Sequence, residues 1–396
     1  MNAHELGFLP ERLARIPEFV QANYLDNGKL PFASLLIGRG DDIALNWSSG
    51  VADDAIFRIA SMTKPVTSVA FMQLVEQGKV ALTDPVAKYI PEFAKLGVFV
   101  AGGGNIPFVS RPPATPMRIV DLLRHTAGFT YSFQERSNID AAHRKTDVES
   151  WSRNTSQSFI DILAEIPLEF DPGTEWNYSV ATDIVGILIE RISGQSLPDY
   201  FQHHIFAPLG MNDTFFAVPA DKAGRLPEAY VFDAEAKLKL SDKAGIESLW
   251  AKGWSFNSGG GGLASTVADY HRFCRMLLNG GALDGVQIIS PKTLELMTAN
   301  HLPGGKDLTQ MSKSLFSEAD MAGIGFGLGF ATTIDSAATL VHCSTGDFYW
   351  GGMYSTAFFV DPVEDIIMIF MTQLMPSTTY PVRREIKTMI YSALAA

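Results

Sequence analysis

The sequence predicts a protein with an α/β sheet domain plus an all-α domain inserted into it. Short apolar runs typical of strands occur near the N-terminus, in residues 32–59, and return near the C-terminus, in residues 326–372. Between them lie amphipathic helical segments separated by Pro and Gly. We therefore expect residues 1–80 and 265–396 to build one sheet domain, and residues 81–264 to form the inserted helical domain. The candidate active site is expected between the two.

Composition and charge narrow the class of protein. The chain has 396 residues, 46% of them hydrophobic, so it can bury a large core. Its net charge of −12 comes without a basic cluster, which argues against nucleic acid and membrane surfaces as partners. No apolar run is long enough to span a bilayer, and the N-terminal residues lack the pattern of a secretion signal. We therefore expect a cytoplasmic protein, and the oligomeric state is left open.

Cysteine and histidine spacing gives no sign of a bound metal. Cys274 and Cys343 lie far apart in the sequence, and the eight histidines show no metal-ligand spacing. We expect no metal and no cofactor.

The N-terminal elements lead to one junction. Residues 10–24 carry apolar side chains along one stripe and predict a helix that lies on the sheet. Residues 32–37 and 43–47 are strand-like runs around a turn rich in Gly and Asp, and a third run covers residues 56–59. The helix that follows is apolar on most sides and stops at Gly78, so we expect a buried central helix.

The inserted region is predicted to contain helices and two long loops. Its clearest helices cover residues 116–124, 183–193 and 197–207. Residues 101–115 and 132–155 are polar or rich in Gly and Pro and predict loops, which at this length commonly form lids or binding walls. Whether the first loop closes over the site is left open.

The C-terminal part is predicted to contain helices and then strands. A helix capped by Ser265 or Thr266 ends at a pair of glycines, and Ser290-Pro291 begins another. Residues 301–323 are loop-like. The predicted strands cover residues 326–334, 340–343, 355–360 and 366–372, and a final helix covers residues 382–394.

A candidate catalytic motif lies where the third strand-like run meets the central helix. Ser61 and Lys64 are spaced i, i+3, so at a helix start they share one face and the lysine can reach the hydroxyl. A serine needs a base to become a nucleophile, and a lysine that has lost its proton is one such base. Pro65 is tolerated only in the first turn, so the helix begins close to Ser61 and its free N–H groups face an anionic intermediate. The alternative is an ordinary helix start, because S-x-x-K occurs by chance about once in a chain of this size.

Five segments in order give a family resemblance. They are residues 61–64 (SMTK), 122–128 (LLRHTAG), 172–179 (PGTEWNYS), 259–266 (GGGGLAST) and 350–352 (WGG) ahead of 359–362 (FVDP). The chain resembles the serine β-lactamases and penicillin-binding proteins, in particular the class C β-lactamases, and within that group the family VIII carboxylesterases. The resemblance implies a serine β-lactamase-like fold, with an antiparallel sheet flanked by helices and an inserted helical domain.

The resemblance also implies roles for individual residues. Ser61 is expected to be the nucleophile, with Lys64 as its neighbouring base and Tyr178 sharing the proton transfer. A phenol has an ordinary pKa of about 10, so it needs a nearby ammonium to act as a base near neutrality, and Lys64 can supply that charge. Which group is the base is left open. The backbone N–H groups of Ser61 and Met353 are expected to form the oxyanion hole. Asp183 either takes the place of a carboxylate behind the catalytic groups or is simply an acidic residue at a helix start.

The sequence departs from the lactamase pattern at two positions. Val180 stands where class C β-lactamases have the asparagine that binds the acylamide side chain of a β-lactam. Trp350 stands where they have a lysine, so an apolar wall replaces the cation that faces the β-lactam carboxylate. Both changes favour neutral esters. The residues expected to contact substrate are Trp350, Gly351, Gly352, Phe129, Tyr131 and Val180.

The sequence therefore predicts a serine carboxylesterase that hydrolyses short-chain acyl esters through an acyl-enzyme on Ser61, with a weak β-lactamase side activity. A small-molecule ester is the only partner expected; its acyl chain and alcohol are left open. The enzymatic alternatives are a β-lactamase or D-amino-acid peptidase, and an acyltransferase. The alternative of another class is a non-catalytic ligand-binding relative, which would need a damaged motif, whereas Ser61, Lys64 and Tyr178 are all present.

Overall fold

The secondary structure comes from a computed structural model that describes residues 3–312 and 322–395, so part of the predicted loop 301–323 lies outside the described residues. The helices of the described chain are α1 (Pro10–Leu13), α2 (Arg15–Val20), α3 (Thr63–Glu76), α4 (Ile119–Leu123), α5 (Asn138–Thr146), α6 (Ser156–Ala164), α7 (Ala181–Ser193), α8 (Leu197–Phe201), α9 (Ala207–Leu209), α10 (Leu249–Lys252), α11 (Val267–Leu278), α12 (Pro291–Thr298), α13 (Leu308–Met311), α14 (Ser336–Thr339) and α15 (Val382–Ser392). Its strands are β1 (Ala33–Arg39), β2 (Asp42–Ser49), β3 (Phe57–Arg58), β4 (Val98–Gly103), β5 (Ile106–Arg111), β6 (Ala229–Asp233), β7 (Lys237–Asp242), β8 (Ala264–Ser265), β9 (Ala282–Leu283), β10 (Val286–Gln287), β11 (Ile324–Phe326), β12 (Ala331–Thr333), β13 (Phe348–Gly351), β14 (Ala357–Asp361), β15 (Ile366–Met371) and β16 (Leu374–Met375).

One large antiparallel sheet joins the two ends of the chain. Among the described residues it has seven strands in the order β11-β12-β13-β14-β15-β1-β2. The N-terminal hairpin is joined to the C-terminal strands where β1 pairs with β15, with Leu35 opposite Phe370 and Ile37 opposite Met368. The predicted antiparallel sheet flanked by helices is confirmed.

Both faces of the sheet are covered because its strands are apolar on both sides. In β15, Ile366, Met368 and Phe370 pack into one core cluster, which also contains residues of α2 and α15. The alternate residues Ile367 and Ile369 pack into the other cluster, together with α3, α7 and α11. Alternation along a strand sends neighbouring side chains to opposite faces. A layer of helices therefore lies on each side of the sheet.

The central helix and its neighbours match the prediction. Helix α3 is buried along almost its whole length, from Thr63 to Leu74, which confirms a buried central helix. In α11 the Thr266 side chain accepts a hydrogen bond from the N–H of Asp269 and caps the helix as predicted. Ser290 caps α12 in the same way.

The predicted loop 101–115 is wrong over most of its length. Strands β4 and β5 form an antiparallel hairpin with two register irregularities, turning at residues 104 and 105. Most side chains of β5 are exposed, so the hairpin buries little on either face. A strand without a buried face has no alternation of apolar and polar residues. Three consecutive glycines, a residue type that is rare in strands, also pointed to a loop. The second predicted loop, 132–155, contains helix α5.

Several predicted strands differ in detail. Residues 340–343 are not a strand but follow the short helix α14, and the strand of this region is β13. The predicted strand 326–334 is split into β11 and β12. The run at residues 56–59 lies outside the large sheet, because β3 pairs with β8. The region 81–264 also contains a second hairpin, β6–β7, which pairs with β16 and was not predicted.

Within residues 3–312 and 322–395, no helix is both long enough and apolar enough to cross a bilayer.

Candidate active site

Ser61 lies in a tight turn between β3 and α3. The turn is a short 3-10 segment, Ala60–Met62, that runs directly into α3. Ala60 has a backbone φ of +44°, in the left-handed region that a side chain disfavours. The sequence places Lys64 one turn further along the same helix, and its side chain is almost fully buried. The strained turn thus presents the Ser61 hydroxyl at the start of a buried helix.

Lys64 is held by three oxygen acceptors. Its Nζ lies 3.2 Å from Ser61 Oγ, 3.0 Å from the Tyr131 hydroxyl and 2.7 Å from the carbonyl oxygen of Gly260. An ammonium group has three N–H donors and no acceptor, so these three contacts match its full donor capacity. A buried charge is tolerated only when it is paired and hydrogen-bonded in this way. The site therefore fixes the lysine head group rather than leaving it free to rotate.

Tyr178 reaches the same hydroxyl from the other side. Its phenol lies 2.5 Å from Ser61 Oγ, and Lys64 Nζ sits 4.5 Å from the centre of its ring. The rings of Trp350 and His125 pack on it at 5.4 and 5.1 Å. Ser61 is thus in hydrogen-bond contact with both predicted partners, the geometry required of a nucleophile and its bases.

His125 is a buried neighbour of Tyr178. Its Nδ1 lies 3.2 Å from Ser179 Oγ, and its ring also packs against Trp176 and Phe326. Burial, assisted by the positive charge of Lys64, holds the pKa of His125 well below its usual value. The imidazole is therefore neutral at physiological pH.

Asp183 supports Lys64 through the glycine-rich segment. Its Oδ1 accepts hydrogen bonds from the N–H of Gly260, at 3.1 Å, and from the Ser258 hydroxyl. Burial raises the pKa of Asp183, while the nearby Lys64 acts in the opposite direction. A Cβ on Gly260 would lie 2.5 Å from an Asp183 oxygen, so only glycine allows this approach. The carboxylate consequently fixes the backbone whose carbonyl accepts from Lys64.

Strand β13 brings Met353 to the edge of the site. A Cβ on Gly352 would lie 2.4 Å from the carbonyl oxygen of Ile59, two residues before Ser61. The N–H of Gly352 donates to the Thr356 carbonyl at 2.8 Å, which begins a tight turn around Met353. This approach of the two backbones places Met353 beside the segment that carries Ser61, as an oxyanion hole built from their two N–H groups requires.

A cavity of about 350 Å³ opens at Ser61. Its walls include Tyr178 and Trp350, and it continues past β13 to α15. Of the residues predicted to contact substrate, Trp350, Gly351, Gly352 and Tyr131 line this cavity. Phe129 and Val180 do not. Both are buried in the core, where Phe129 packs against the ring of Phe93.

Several features of the site were not predicted from the sequence. Glu149, Trp151 and Phe159 line the cavity from the inserted region, and the Gly260 carbonyl accepts from Lys64. The only signal for the first two was their position in a segment whose length suggested a binding wall. A backbone carbonyl leaves no signal in residue types at all.

Over the described ranges, no group of three or more His, Cys, Asp or Glu side chains could hold a metal ion.

Comparisons with known proteins give the family and several relatives of this chain. A family model described as Beta-lactamase matches residues 19–389. Protein Rv1367c of Mycobacterium tuberculosis is 35% identical over 326 residues, covering 82% of this chain and 78% of that protein. Esterase EstB of Burkholderia gladioli is 27% identical over 369 residues, covering 87% and 86%. The solved structure of EstCE1, described as a hydrolase with promiscuous acyltransferase activity, has a TM-score of 0.79 at 24% identity and covers 96% of this chain and 99% of its own.

The likeness to EstCE1 shows the fold, and the sequence matches show the family. Because the family model spans most of the chain and a relative is 35% identical over 82% of it, this protein is a serine hydrolase of the Beta-lactamase family.

Proposed function

We propose that this protein is a carboxylesterase of the family VIII type that hydrolyses short-chain acyl esters through an acyl-enzyme on Ser61. One observation carries the proposal: the Ser61 hydroxyl contacts both Lys64 Nζ and the Tyr178 phenol at the wall of a cavity that is lined in part by aromatic side chains. The similarity to Esterase EstB supports an ester substrate.

Acylation begins with loss of the Ser61 proton to the Lys64–Tyr178 pair. The active form of the pair is the one that has already lost a proton, so that it can accept another. The serine oxygen then bonds to the ester carbonyl carbon, and the N–H groups of Ser61 and Met353 stabilise the resulting oxyanion. The bond to the alcohol oxygen breaks, and the pair returns the proton to the departing alcohol.

Deacylation repeats these steps with water. The pair takes a proton from water, whose oxygen adds to the acyl carbon, and the ester bond to Ser61 then breaks as the proton returns to the serine oxygen. Because both half-reactions use the same groups, loss of Ser61, Lys64 or Tyr178 is expected to stop both.

The cavity favours a neutral substrate next to β13. Trp350, at the position of the lactamase lysine, lies against Tyr178 and Phe326 and presents an aromatic surface. A carboxylate placed against the Trp350 ring would lose water without gaining the cation that a lysine at this position supplies, and the basic side chains that line the cavity belong to α15 instead. We therefore expect slow β-lactam turnover beside faster ester turnover.

The direct test compares p-nitrophenyl butyrate with a chromogenic cephalosporin, for the wild type and Ser61→Ala. Ester hydrolysis is expected to fall by at least about a thousandfold in the variant, because no other group can form the acyl-enzyme. Mass spectrometry of acid-quenched wild type should find a butyryl group on the peptide that contains Ser61.

The matched control is Ser152→Ala, at an exposed position, which should retain wild-type activity. Ester turnover that survives in Ser61→Ala would exclude Ser61 as the nucleophile. Faster turnover of the cephalosporin than of the ester would favour the β-lactamase alternative instead.

A further inference from the structure

We propose that Glu149 is a positioning residue for Lys64, acting through Ser132 and Tyr131. This inference rests on the proposed function, since it concerns how the same site is held in order. Nothing in the sequence motifs marks Glu149, which lies in the segment between α5 and α6.

The first link joins Glu149 to the backbone at Ser132. One carboxylate oxygen of Glu149 accepts from the Ser132 N–H at 2.6 Å, and the other accepts from the Ser132 hydroxyl at 2.9 Å. Arg144 donates to the Ser132 carbonyl. All the polar groups of Ser132 are thereby engaged, and a carboxylate that accepts two hydrogen bonds from one residue fixes both its position and its orientation.

The second link joins Ser132 to Lys64. Tyr131 is the adjacent residue, and its hydroxyl lies 3.0 Å from Lys64 Nζ. Its ring stacks on Phe133 at 4.9 Å and packs against the Tyr178 ring at 5.2 Å. Because this segment is not part of a regular helix or sheet at Tyr131, no backbone ladder fixes it there. The contacts of Ser132 supply that restraint.

Burial and charge agree with this arrangement. His143 lies behind Glu149 with its Nδ1 3.4 Å from the carboxylate, and it is almost fully buried. Burial, with the acidic groups of Asp183, Tyr178 and Glu149, raises the pKa of Tyr131 well above its usual value. The Tyr131 hydroxyl therefore stays neutral and offers Lys64 an oxygen acceptor without competing as a second base.

Lys64 is thus held from two sides by two carboxylates that do not touch it. Asp183 fixes the Gly260 carbonyl, and Glu149 fixes the Tyr131 hydroxyl. If Glu149 were lost, one of the three acceptors of Lys64 would become mobile, and its head group would leave the geometry needed for proton transfer. Small misplacements of this kind lower kcat and leave substrate binding largely intact.

The test measures kcat and KM for p-nitrophenyl butyrate in Glu149→Ala and Glu149→Gln. Glu149→Ala is expected to lower kcat by about tenfold to a hundredfold with KM changed by less than about threefold. Glu149→Gln keeps an oxygen for the Ser132 N–H and should recover kcat to within about fivefold of wild type. Equal losses in both variants, or a change confined to KM, would overturn the proposal.

A double-mutant cycle tests whether Glu149 acts through Tyr131. Tyr131→Phe removes the hydroxyl that contacts Lys64. In that background Glu149→Ala should cost less than about threefold in kcat, because the contact it maintains is already gone. If the loss of kcat in the double variant equals the product of the losses in the two single variants, Glu149 does not act through the Tyr131 hydroxyl.

Controls separate this outcome from misfolding and from failure of the proposed function. Glu165→Ala, an exposed acidic residue at the end of α6, should behave as wild type. If Glu149→Ala does not fold, Ser132→Ala removes only the hydroxyl contact and should still lower kcat several-fold at unchanged melting temperature; an unchanged kcat there would overturn the proposal. Ester turnover that depends on Ser61 but not on Glu149 would leave the proposed function standing and remove this inference alone.

Discussion

At the scale of single residues, burial decides the protonation state of the groups around Ser61. His125 is excluded from water and lies near Lys64, so its neutral form is favoured. Asp183 is also buried, but its carboxylate accepts hydrogen bonds from the Ser258 hydroxyl and the Gly260 N–H. Burial favours the neutral form of both residues, but the charge of Lys64 opposes burial only at Asp183, where it lowers the pKa. A neutral histidine adds packing and one hydrogen bond without adding a charge that would compete with Lys64.

The burial of His125 predicts a pH dependence of stability. In the unfolded chain a histidine titrates near pH 6.5, whereas the folded His125 stays neutral to well below that pH. Below that pH the unfolded state binds one more proton at this residue, so the free energy of unfolding falls as the pH is lowered. The contribution of this residue is up to about 1.4 kcal/mol per pH unit. Urea denaturation between pH 7.5 and 5 should show a shallower dependence in His125→Gln.

The matched control is His203→Gln, at an exposed position, which should keep the wild-type pH dependence. If the free energy of unfolding of His125→Gln depends on pH as steeply as that of the wild type, the buried imidazole is not neutral.

At the scale of elements, the end of β13 positions the predicted oxyanion hole. Gly352 lies against the carbonyl of Ile59 and the hydroxyl of Thr356, and both leave no room for a side chain. Arg383 of α15 donates to the Gly352 carbonyl at 2.6 Å. Close backbone approach is one of the few tasks that only glycine performs. Packing alone therefore accounts for a glycine at position 352, next to the predicted oxyanion hole.

Gly352→Ala is expected to lower kcat/KM for p-nitrophenyl butyrate by about tenfold to a hundredfold, because the new methyl group must push β13 away from the Ser61 turn. The control is Gly224→Ala, where no described atom beyond Gly224 and its two chain neighbours lies within 4 Å of the new Cβ, and activity should stay within about twofold of wild type. Wild-type kcat/KM in Gly352→Ala would show that the close approach does not set the position of Met353.

The hairpin β4–β5 shows where element prediction fails. Its apolar residues Val100, Ile106 and Val109 are more than half exposed, so burial does not select one face. The strands are recognisable only through their pairing with each other. By contrast, α11 buries Val267, Tyr270 and Phe273 on one stripe, and this helical period together with the cap makes the helix recognisable from the sequence.

At the scale of the whole molecule, Arg58 joins segments from three parts of the chain. Its guanidinium is fully buried and donates to Asp242, to Gln373 and to Ser248. It also donates to the backbone carbonyls of residues 227 and 243, so all five of its N–H groups have acceptors. The Gln373 amide in turn bonds both the N–H and the carbonyl of Arg58. This network anchors β3 three residues before Ser61.

Arg58→Ala is expected to lower the free energy of unfolding by about 3–5 kcal/mol, because it leaves the Asp242 carboxylate buried without its cation. Urea denaturation at neutral pH measures the loss. The comparison is Lys292→Ala, which removes an exposed ion pair with Glu295 and should cost less than about 1 kcal/mol. Similar small losses in both variants would mean that the buried network contributes little to stability.

The sequence by itself determined the local features of this protein. The i, i+3 spacing of Ser61 and Lys64 is a property of one helical turn, and the buried helices α3 and α11 follow from hydrophobic period and capping residues. The motif that carries Tyr178 was also readable, through its resemblance to a known family.

Only the tertiary structure decided which distant groups complete the site. Tyr131 and Gly260 contact Lys64 from 67 and 196 residues away in the sequence, and Glu149 acts on that contact through Ser132. Phe129 and Val180, which sequence reasoning put on the cavity wall, are in the core. The physical reason is that a helix fixes its own near neighbours, whereas contacts between distant segments depend on how the loops between them pack and which buried polar atoms need a partner.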